Sequence, residues 1–418
     1  MPEKVVITGM GTINPLGFSV KESWENATKS KSVVGPITHF DPSAFQVRIA
    51  CEVKGFDPEM YLPAKEVRRR DRFEQFAFVA TQEAVRQAGF EPDPGLSHRV
   101  GVIISSAIGG VKAFQDNVMT MLREGARRVN PFVIPMLMAN GAAGLIAIDF
   151  GYTGPCFSVV SACASGADGI GTAWMMIRSG MIDAAIAGGS EATITPIGLA
   201  AFDRLGAMSR RNEKDLATPQ PFDLNRDGLV MGEGAAIMVL ESESHARSRG
   251  AEILAELAGY AATVDAFHIT APSEDGLGGA QAIRLALETA RINPQQVDYI
   301  NAHGTATKLN DISETKAIKN AFGELAYDIP VSSTKSMTGH MMGTTGALEA
   351  IFCVQTIREN ILLPTINYQT PDPECDLDYV PNDAREKPTR IALSNAFGFG
   401  GHNAVLIVRD YAEKSDMI

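Results

Sequence analysis

The chain has 418 residues, 45% hydrophobic and 21% charged, enough to bury a full core in one large or two linked domains, which excludes a disordered or fibrous protein. Its 37 basic and 49 acidic side chains leave a net charge of −12 and a pI near 5.2, which argues against a nucleic-acid partner, since a phosphate backbone asks for a basic surface. No membrane insertion is expected, because the longest apolar stretch, Val133 to Ile148, contains Pro135, Asn140, Gly141 and Gly144.

The first residues lack the apolar segment and cleavage site of a secretory signal and read as a strand over Lys4 to Thr8. Further strands are expected over Arg99 to Ser105, Phe157 to Val160, Ala184 to Ala187, Ala235 to Glu241, Ile253 to Tyr260, Tyr299 to Ala302 and Pro330 to Ser333. A closing pair spans Arg390 to Ser394 and Ala404 to Arg409. Helical patterns fill Arg72 to Ala88, Ala164 to Ser179, Gly278 to Ala290, Asp311 to Phe322 and Gly346 to Arg358. This alternation predicts an α/β fold with helices over a mostly parallel sheet.

Two stretches end alike, each with strand, small-residue turn and strand, and each is preceded by strand, short loop and helix. That suggests a duplicated α/β unit, residues 1–250 and 251–418, packed as one body. Plain α/β alternation without duplication stays open as the other reading.

Five cysteines, Cys51, Cys156, Cys163, Cys353 and Cys375, lie far apart without a CxxC pair, so neither a zinc cage nor a disulfide framework is expected and a reducing cytoplasm is. Cys163 stands out. It sits in Val159-Val160-Ser161-Ala162-Cys163-Ala164-Ser165-Gly166, between a β-branched run and a small-residue helix start, where the helix dipole and free backbone N–H groups favour thiolate. The other four read as structural.

His303, in Asn301-Ala302-His303-Gly304-Thr305, and His340, in Lys335-Ser336-Met337-Thr338-Gly339-His340, each follow an expected strand, the usual address of ligand sites in α/β sheets. With Lys335 and Cys163 they suggest a thiol-centred site, although a histidine taken singly is more often a structural residue. Gly398-Phe399-Gly400-Gly401 lets the backbone approach closely and could turn N–H donors toward an oxyanion. No GxGxxG dinucleotide fingerprint opens a helix after a strand.

Together these motifs resemble the elongating β-ketoacyl-acyl-carrier-protein synthases of type II fatty acid synthesis. The likeness runs from Val5-Val6-Ile7-Thr8-Gly9-Met10-Gly11 to Ser394-Asn395-Ala396-Phe397-Gly398-Phe399-Gly400-Gly401. It implies the thiolase fold, with duplicated βαβαβαββ halves in five α-β-α-β-α layers, and a homodimer. It also implies decarboxylative condensation of malonyl-carrier protein with an acyl chain held on Cys163, and no cofactor, because the pantetheine arm arrives on the carrier protein.

The resemblance assigns His303 and His340 to the malonyl thioester oxygen, Lys335 beside them, and Phe399 to the oxyanion hole and a gate. Glu349 and Asp311 fall in a supporting shell. Thr270, Thr305, Thr307 and Gly400 meet substrate, and Ile108 limits acyl-pocket depth. No metal is required, though a monovalent cation near Asn301, Glu349, Ser394 and Asn395 is compatible. Departures flank the site: Lys308 where Pro is usual, Thr344 and Thr345 for Ala-Ala, and His402 for Thr.

Relatives with the same motifs serve polyketide or specialised lipid pathways, so that alternative stays open. A non-catalytic chain-length-factor subunit would lack Cys163. A thiolase would need a second cysteine near Gly400, and the initiating synthase has Asn where His340 stands. The resemblance also implies docking of an acidic carrier protein beside the site entrance, so a basic run, Lys65, Arg68, Arg69, Arg70 and Arg72, with Arg127 and Arg128 and with Arg204, Arg210 and Arg211, offers a docking patch on an acidic body, although each run by itself reads as an ordinary solvated face. Of these, Lys65, Arg68, Arg69, Arg127, Arg128 and Arg204 are the expected contacts.

Overall fold

The computed structural model describes residues 3–91, 95–213 and 217–411. Five strands of the first part are β1 (Val5–Ile13), β2 (Val100–Ser105), β3 (Cys156–Phe157), β4 (Ala184–Glu191) and β5 (Gly234–Ser242). Five of the second are β6 (Ala255–Val264), β7 (Tyr299–Asn301), β8 (Val331–Ser332), β9 (Ile391–Gly398) and β10 (His402–Arg409). All ten form one sheet, ordered β8-β7-β9-β10-β6-β1-β5-β4-β2-β3.

That order is the same arrangement twice. In each part the third strand pairs the second, the second the fourth, the fourth the fifth and the fifth the first. Directions repeat as well: β2 runs parallel to β3 and β4, as β7 does to β8 and β9, while the remaining neighbours are antiparallel. The parts meet where Val5–Ile7 of β1 pair with Ala255–Leu257 of β6.

Helices α1 (Arg72–Ala88), α2 (Val111–Glu124), α3 (Gly141–Phe150), α4 (Ser165–Arg178), α5 (Leu277–Ala290), α6 (Lys308–Phe322) and α7 (Thr345–Glu359) distribute into layers. α4 and α7 lie between the two sheet portions, touching strands of both. Their apolar side chains join Ile7, Met238, Leu257 and Leu406 in one central core. α1 and α3 cover the outer face of the first portion with Phe73, Phe76 and Ile146. α5 and α6 cover the second with Ile283, Leu287 and Ile318. Burial on both faces is what turns the strands into continuous apolar runs rather than alternating ones.

α1 begins at a reciprocal cap, where the Asp71 side chain accepts from the helix start and Glu74 returns to the Asp71 N–H, and it ends at Gly89 with φ 55°. The expected Arg72 to Ala88 span therefore matches. Several expectations need correction, beginning with the mostly parallel sheet: it is mixed, with four parallel and five antiparallel neighbour pairs. The strand over Phe157 to Val160 is only Cys156–Phe157, because the chain leaves the sheet to reach Cys163. The strand over Ala184 to Ala187 runs on to Glu191 through Gly188 and Gly189, and the closing pair is a long hairpin whose turn is the Phe399–Gly401 segment. α2 carries an amphipathic pattern, Val111, Phe114, Val118, Met121 and Leu122, yet is not among the expected helices, and α3 offers no such pattern because it is apolar all round. Among the described residues, no helix is long and apolar enough to cross a membrane.

Candidate active site

From β3 the chain turns through residues 158–161 into a single tight turn, Ala162–Ala164, and then α4. Ala162 adopts φ 52°, a left-handed conformation that costs a residue with a Cβ about 1–3 kcal/mol and persists only where neighbours enforce it. They do. The Ser161 N–H donates to Ser165 Oγ at 3.0 Å, and that hydroxyl donates to the Ala162 carbonyl at 2.6 Å. The Ser161 hydroxyl donates to Asp168, which also accepts from Tyr260 of β6 at 2.7 Å. Cys163 stands at the tip of this elbow, 8% exposed.

The second part repeats the elbow after β8: Met342 has φ 43°, Met342–Thr344 form the turn, and α7 starts at Thr345. Gly343 thus occupies the position matching Cys163. The connection is longer, residues 333–341, and its extra length carries the short helix Lys335–Thr338 and His340. The His340 backbone is pinned on both sides, its N–H to the Val230 carbonyl at 2.7 Å and its carbonyl by the Gly232 N–H at 2.8 Å. His303 leaves the end of β7, where Glu314 of α6 accepts the His303 and Gly304 N–H groups at 2.8 and 2.7 Å and Asn395 Nδ2 at 3.0 Å.

The imidazoles of His303 and His340 stand 5.4 Å apart at 84°. With Cys163, Thr270, Thr305, Thr307 and Phe399 they line one cavity of about 520 Å³. The Phe399 ring stacks on Phe202, which also lines the cavity, at 6.4 Å, and the Thr305 and Thr307 hydroxyls bond each other at 2.9 Å. Lys335 is buried behind the histidines, donating to Glu349 Oε1 at 2.7 Å.

Residues 2–246 match the family "Beta-ketoacyl synthase, N-terminal domain" and residues 254–369 "Beta-ketoacyl synthase, C-terminal domain". The chain belongs to the beta-ketoacyl synthase family. It is 47% identical over 409 residues to the 3-oxoacyl-[acyl-carrier-protein] synthase 2 of Staphylococcus aureus (strain COL), covering 98% of this chain and 99% of that one. A beta-ketoacyl synthase from Burkholderia phymatum STM815 superposes with a TM-score of 0.91 at 36% identity, covering 98% of this chain and 100% of that one. AntDE:AntF, a type II PKS acyl-carrier protein in complex with its ketosynthase, gives 0.90 at 36%, covering 99% and 100%. The chain is a condensing enzyme of the acyltransferase class with the thiolase fold.

Not every expected residue of this beta-ketoacyl synthase reaches the cavity. Ile108 is 41% exposed on the loop after β2 and does not line it. Asp311 lies a layer further out, accepting the Phe222 N–H at 2.8 Å and facing Arg226 at 3.6 Å. Glu349 stays outside the cavity and accepts from Lys335, and Gly400 donates its N–H to the Ile269 carbonyl. Asn301, Ser394 and Asn395 are buried beside β7 and β9, and unpartnered oxygens remain there: Asn301 Oδ1, Ser394 Oγ, Asn395 Oδ1 and Glu349 Oε2.

In the basic patch, Lys65, Arg68, Arg127, Arg128 and Arg204 are exposed, and Arg69 packs over Phe132 at 4.6 Å, which joins the 68–69 and 127–132 segments. Arg70 and Arg72 are withdrawn from it: Arg70 is buried against Asp149 at 2.7 Å and Arg72 pairs with Glu233 at 2.8 Å. Arg210 is paired with Asp203 at 3.0 Å and Arg211 with Asp227 at 3.5 Å.

Two carboxylates went unread in the sequence. Glu314 lies one helical turn beyond Asp311 on the buried face of α6, and that acid pair on an inward face was the available signal. Glu191, at the end of β4, accepts Ser106 Oγ at 2.9 Å, the Ala107 N–H at 2.7 Å and the Gly343 N–H at 3.1 Å, tying the Ile108 loop to the second elbow. Nothing in its local sequence announces this.

Burial dominates the electrostatics. It pushes the Cys163 thiol up to about 11, against the opposing charge of Lys335 and the N–H groups of Phe399 and Cys163 itself. The sequence-based expectation of a thiolate favoured by the helix start is therefore corrected: the dipole acts, but desolvation wins. Burial also holds both imidazoles well below their ordinary value, aided by Lys335, so both are neutral at pH 7.

A thiol raised to about 11 leaves roughly one thiolate in ten thousand at pH 7. Iodoacetamide alkylation of Cys163, followed by peptide mass spectrometry in a Cys156→Ser background, should climb about tenfold per pH unit from 7 to 10. A plateau below pH 8 would contradict burial as the controlling term.

Proposed function

We propose that the chain is a 3-oxoacyl-[acyl-carrier-protein] synthase that lengthens acyl chains by two carbons. The observation that carries this reading is the convergence of Cys163, His303 and His340 on one cavity, with the N–H groups of Phe399 and Cys163 directed at the sulfur. In the first half-reaction Cys163 Sγ attacks the acyl thioester, the acyl carbon exchanges one sulfur for another, and the thiol proton leaves on the carrier's thiol. The two N–H donors face the oxyanion that forms.

In the second, malonyl-carrier protein loses CO2, and its C–C bonding pair becomes an enolate. Neutral His303 and His340 donate to the thioester oxygen as charge develops, so they assist where decarboxylation creates charge and not before. The carbanion attacks the acyl-cysteine, a C–C bond forms, the C–S bond breaks, and Cys163 recovers a proton from solvent. Lys335, fixed by Glu349, supplies positive charge behind both rings. Thr270, Thr305 and Thr307 line the path of the pantetheine arm, which brings the only prosthetic group the reaction needs.

The unpartnered oxygens of Asn301, Ser394, Asn395 and Glu349 fit a monovalent cation, whose role would be to neutralise and fix Glu349. Residues 1–250 then supply the nucleophile and residues 251–418 the histidines, a division supported by the repeated strand order. The unpaired outer edge of β3, with Ile148 and Val160 exposed nearby, supports a homodimer. Five unpaired cysteines support a cytoplasmic location, which cell fractionation tests. The 36% identity to a type II PKS ketosynthase favours a second reading, condensation in a polyketide or specialised lipid pathway.

Cys163→Ala should abolish acyl-enzyme formation, while His303→Ala and His340→Ala should lower condensation by roughly a hundredfold or more and leave acylation of Cys163 intact. Wild-type condensation in either histidine variant overturns the assignment, and mass spectrometry of products from carrier-bound acyl chains of graded length separates fatty acid from polyketide synthesis. Charge reversal at Arg68 and Arg69 should raise KM for carrier substrates several-fold and flatten its salt dependence, with the enzyme still sedimenting as a dimer. Unchanged KM returns these arginines to an ordinary solvated face. Potassium or sodium chloride should raise the melting temperature above that in tetramethylammonium chloride of equal ionic strength. Equal melting removes the cation.

A further inference from the structure

Among the described residues, the ring of His340 has one hydrogen-bond partner. Its Nδ1 lies 3.1 Å from Thr345 Oγ1, while Nε2 is buried without a partner in a residue that lines the cavity. Both residues are almost wholly buried, His340 at 2% and Thr345 at 1% exposure. Thr345 Oγ1 has no other hydrogen-bond partner among the described residues.

A neutral imidazole carries one proton, and the hydroxyl decides which nitrogen holds it. If Nδ1–H donated to Thr345, the threonine's own proton would be buried without an acceptor, and Nε2 would offer the cavity only a lone pair. If Thr345 O–H donates to Nδ1, both groups are satisfied and Nε2–H is left for the cavity. The first arrangement leaves two buried groups unmet, the hydroxyl proton and the Nε2 lone pair, whereas the second leaves one, Nε2–H, so burial favours the second.

The matching position in the first part behaves likewise. Ser165, first residue of α4, turns its hydroxyl back onto the Cys163 elbow, accepting the Ser161 N–H and donating to Ala162. Thr345, first residue of α7, turns its hydroxyl back onto the segment that carries His340. Each helix start steadies the chemistry-bearing segment before it.

We propose that Thr345 is a positioning residue that locks His340 in the Nε2–H tautomer, making its cavity-facing nitrogen a hydrogen-bond donor. The proposal rests on the reading of His340 as donor to the developing enolate. A residue that acts by setting a tautomer changes the rate of the step needing that donor, and leaves acylation of Cys163 alone.

The test is Thr345→Val, which keeps the branched shape and removes the hydroxyl, with Thr345→Ser to restore it. Thr345→Ala replaces the valine variant should that fail to fold. Nitrogen-15 spectra of histidine-labelled enzyme should show His340 Nδ1 unprotonated and Nε2 protonated in the wild type, and a mixture or the reverse in Thr345→Val. Condensation kcat should fall about tenfold in that variant, less than on losing a whole donor, with acyl-Cys163 formation and KM for the acyl carrier unchanged and Thr345→Ser near wild type. A protonated Nδ1 in the wild type, an unchanged tautomer in Thr345→Val, or a serine variant as slow as the valine one overturns the proposal. The spectra judge Thr345 whatever reaction His340 serves, whereas full condensation in His340→Ala would strike the reading of the site itself.

Discussion

The site depends on how closely two helix starts can approach. α4 and α7 enter the central layer from equivalent elbows, and three glycines let them touch: a Cβ on Gly166 or on Gly189 would lie 2.6 Å from the Gly343 carbonyl oxygen. No real side chain tolerates that distance against backbone. Small residues here are therefore a requirement of assembly, and they explain why Cys163 and His340 can face one cavity although 177 positions separate them in the chain (340 − 163). Widening the junction by a methyl group at any of the three would part Cys163 from His340 before it touched either side chain.

Closeness carries an electrostatic consequence. Burial this deep strips ionisable side chains of solvation, so they are held neutral or must be paired. The histidines stay neutral, the thiol is raised, and Glu349, itself pushed up to about 7 by burial, is opposed chiefly by Lys335. Under the proposed reaction, neutral histidines suit charge that appears and vanishes within one turnover, since a donor uncharged at rest would not hold the malonyl carboxylate too tightly to release CO2. Glu314 contributes through the backbone instead, gathering the His303 and Gly304 N–H groups so that the loop after β7 cannot drift.

Much of this was legible in the sequence, and the unread part has a common cause. Arg72–Ala88 could be read because an amphipathic stripe lies between a capping box and a glycine, all local signals. Cys163, His303 and His340 could be read because each follows a strand end, which topology makes the address of ligands. Glu191 could not be read, since its meaning lies in three donors from two distant segments, nor could the withdrawal of Arg70 and Arg72 into pairs with Asp149 and Glu233. The thiol failed as a sequence inference for the same reason. A helix start is local and visible, whereas desolvation is the summed effect of every chain segment packed around the sulfur.

Duplication explains why the two catalytic roles do not compete for one place. Both parts of the chain build the same elbow, with a left-handed residue, Ala162 or Met342, ahead of a buried turn and a hydroxyl-bearing first helical residue. At the tip, one elbow presents Cys163 and the other Gly343. A side chain on Gly343 would collide with the Ala107 nitrogen at 2.5 Å and with Glu191 at 2.8 Å, so the second tip cannot carry a nucleophile and keep its contact with β4. Its longer lead-in, residues 333–341, holds the chemistry instead, setting His340 and Lys335 beside the tip rather than on it. Symmetry of the backbone brings the two elbows together, and the asymmetry between 158–161 and 333–341 sets Cys163 at one tip and His340 and Lys335 beside the other, the division of labour that the proposed reaction needs.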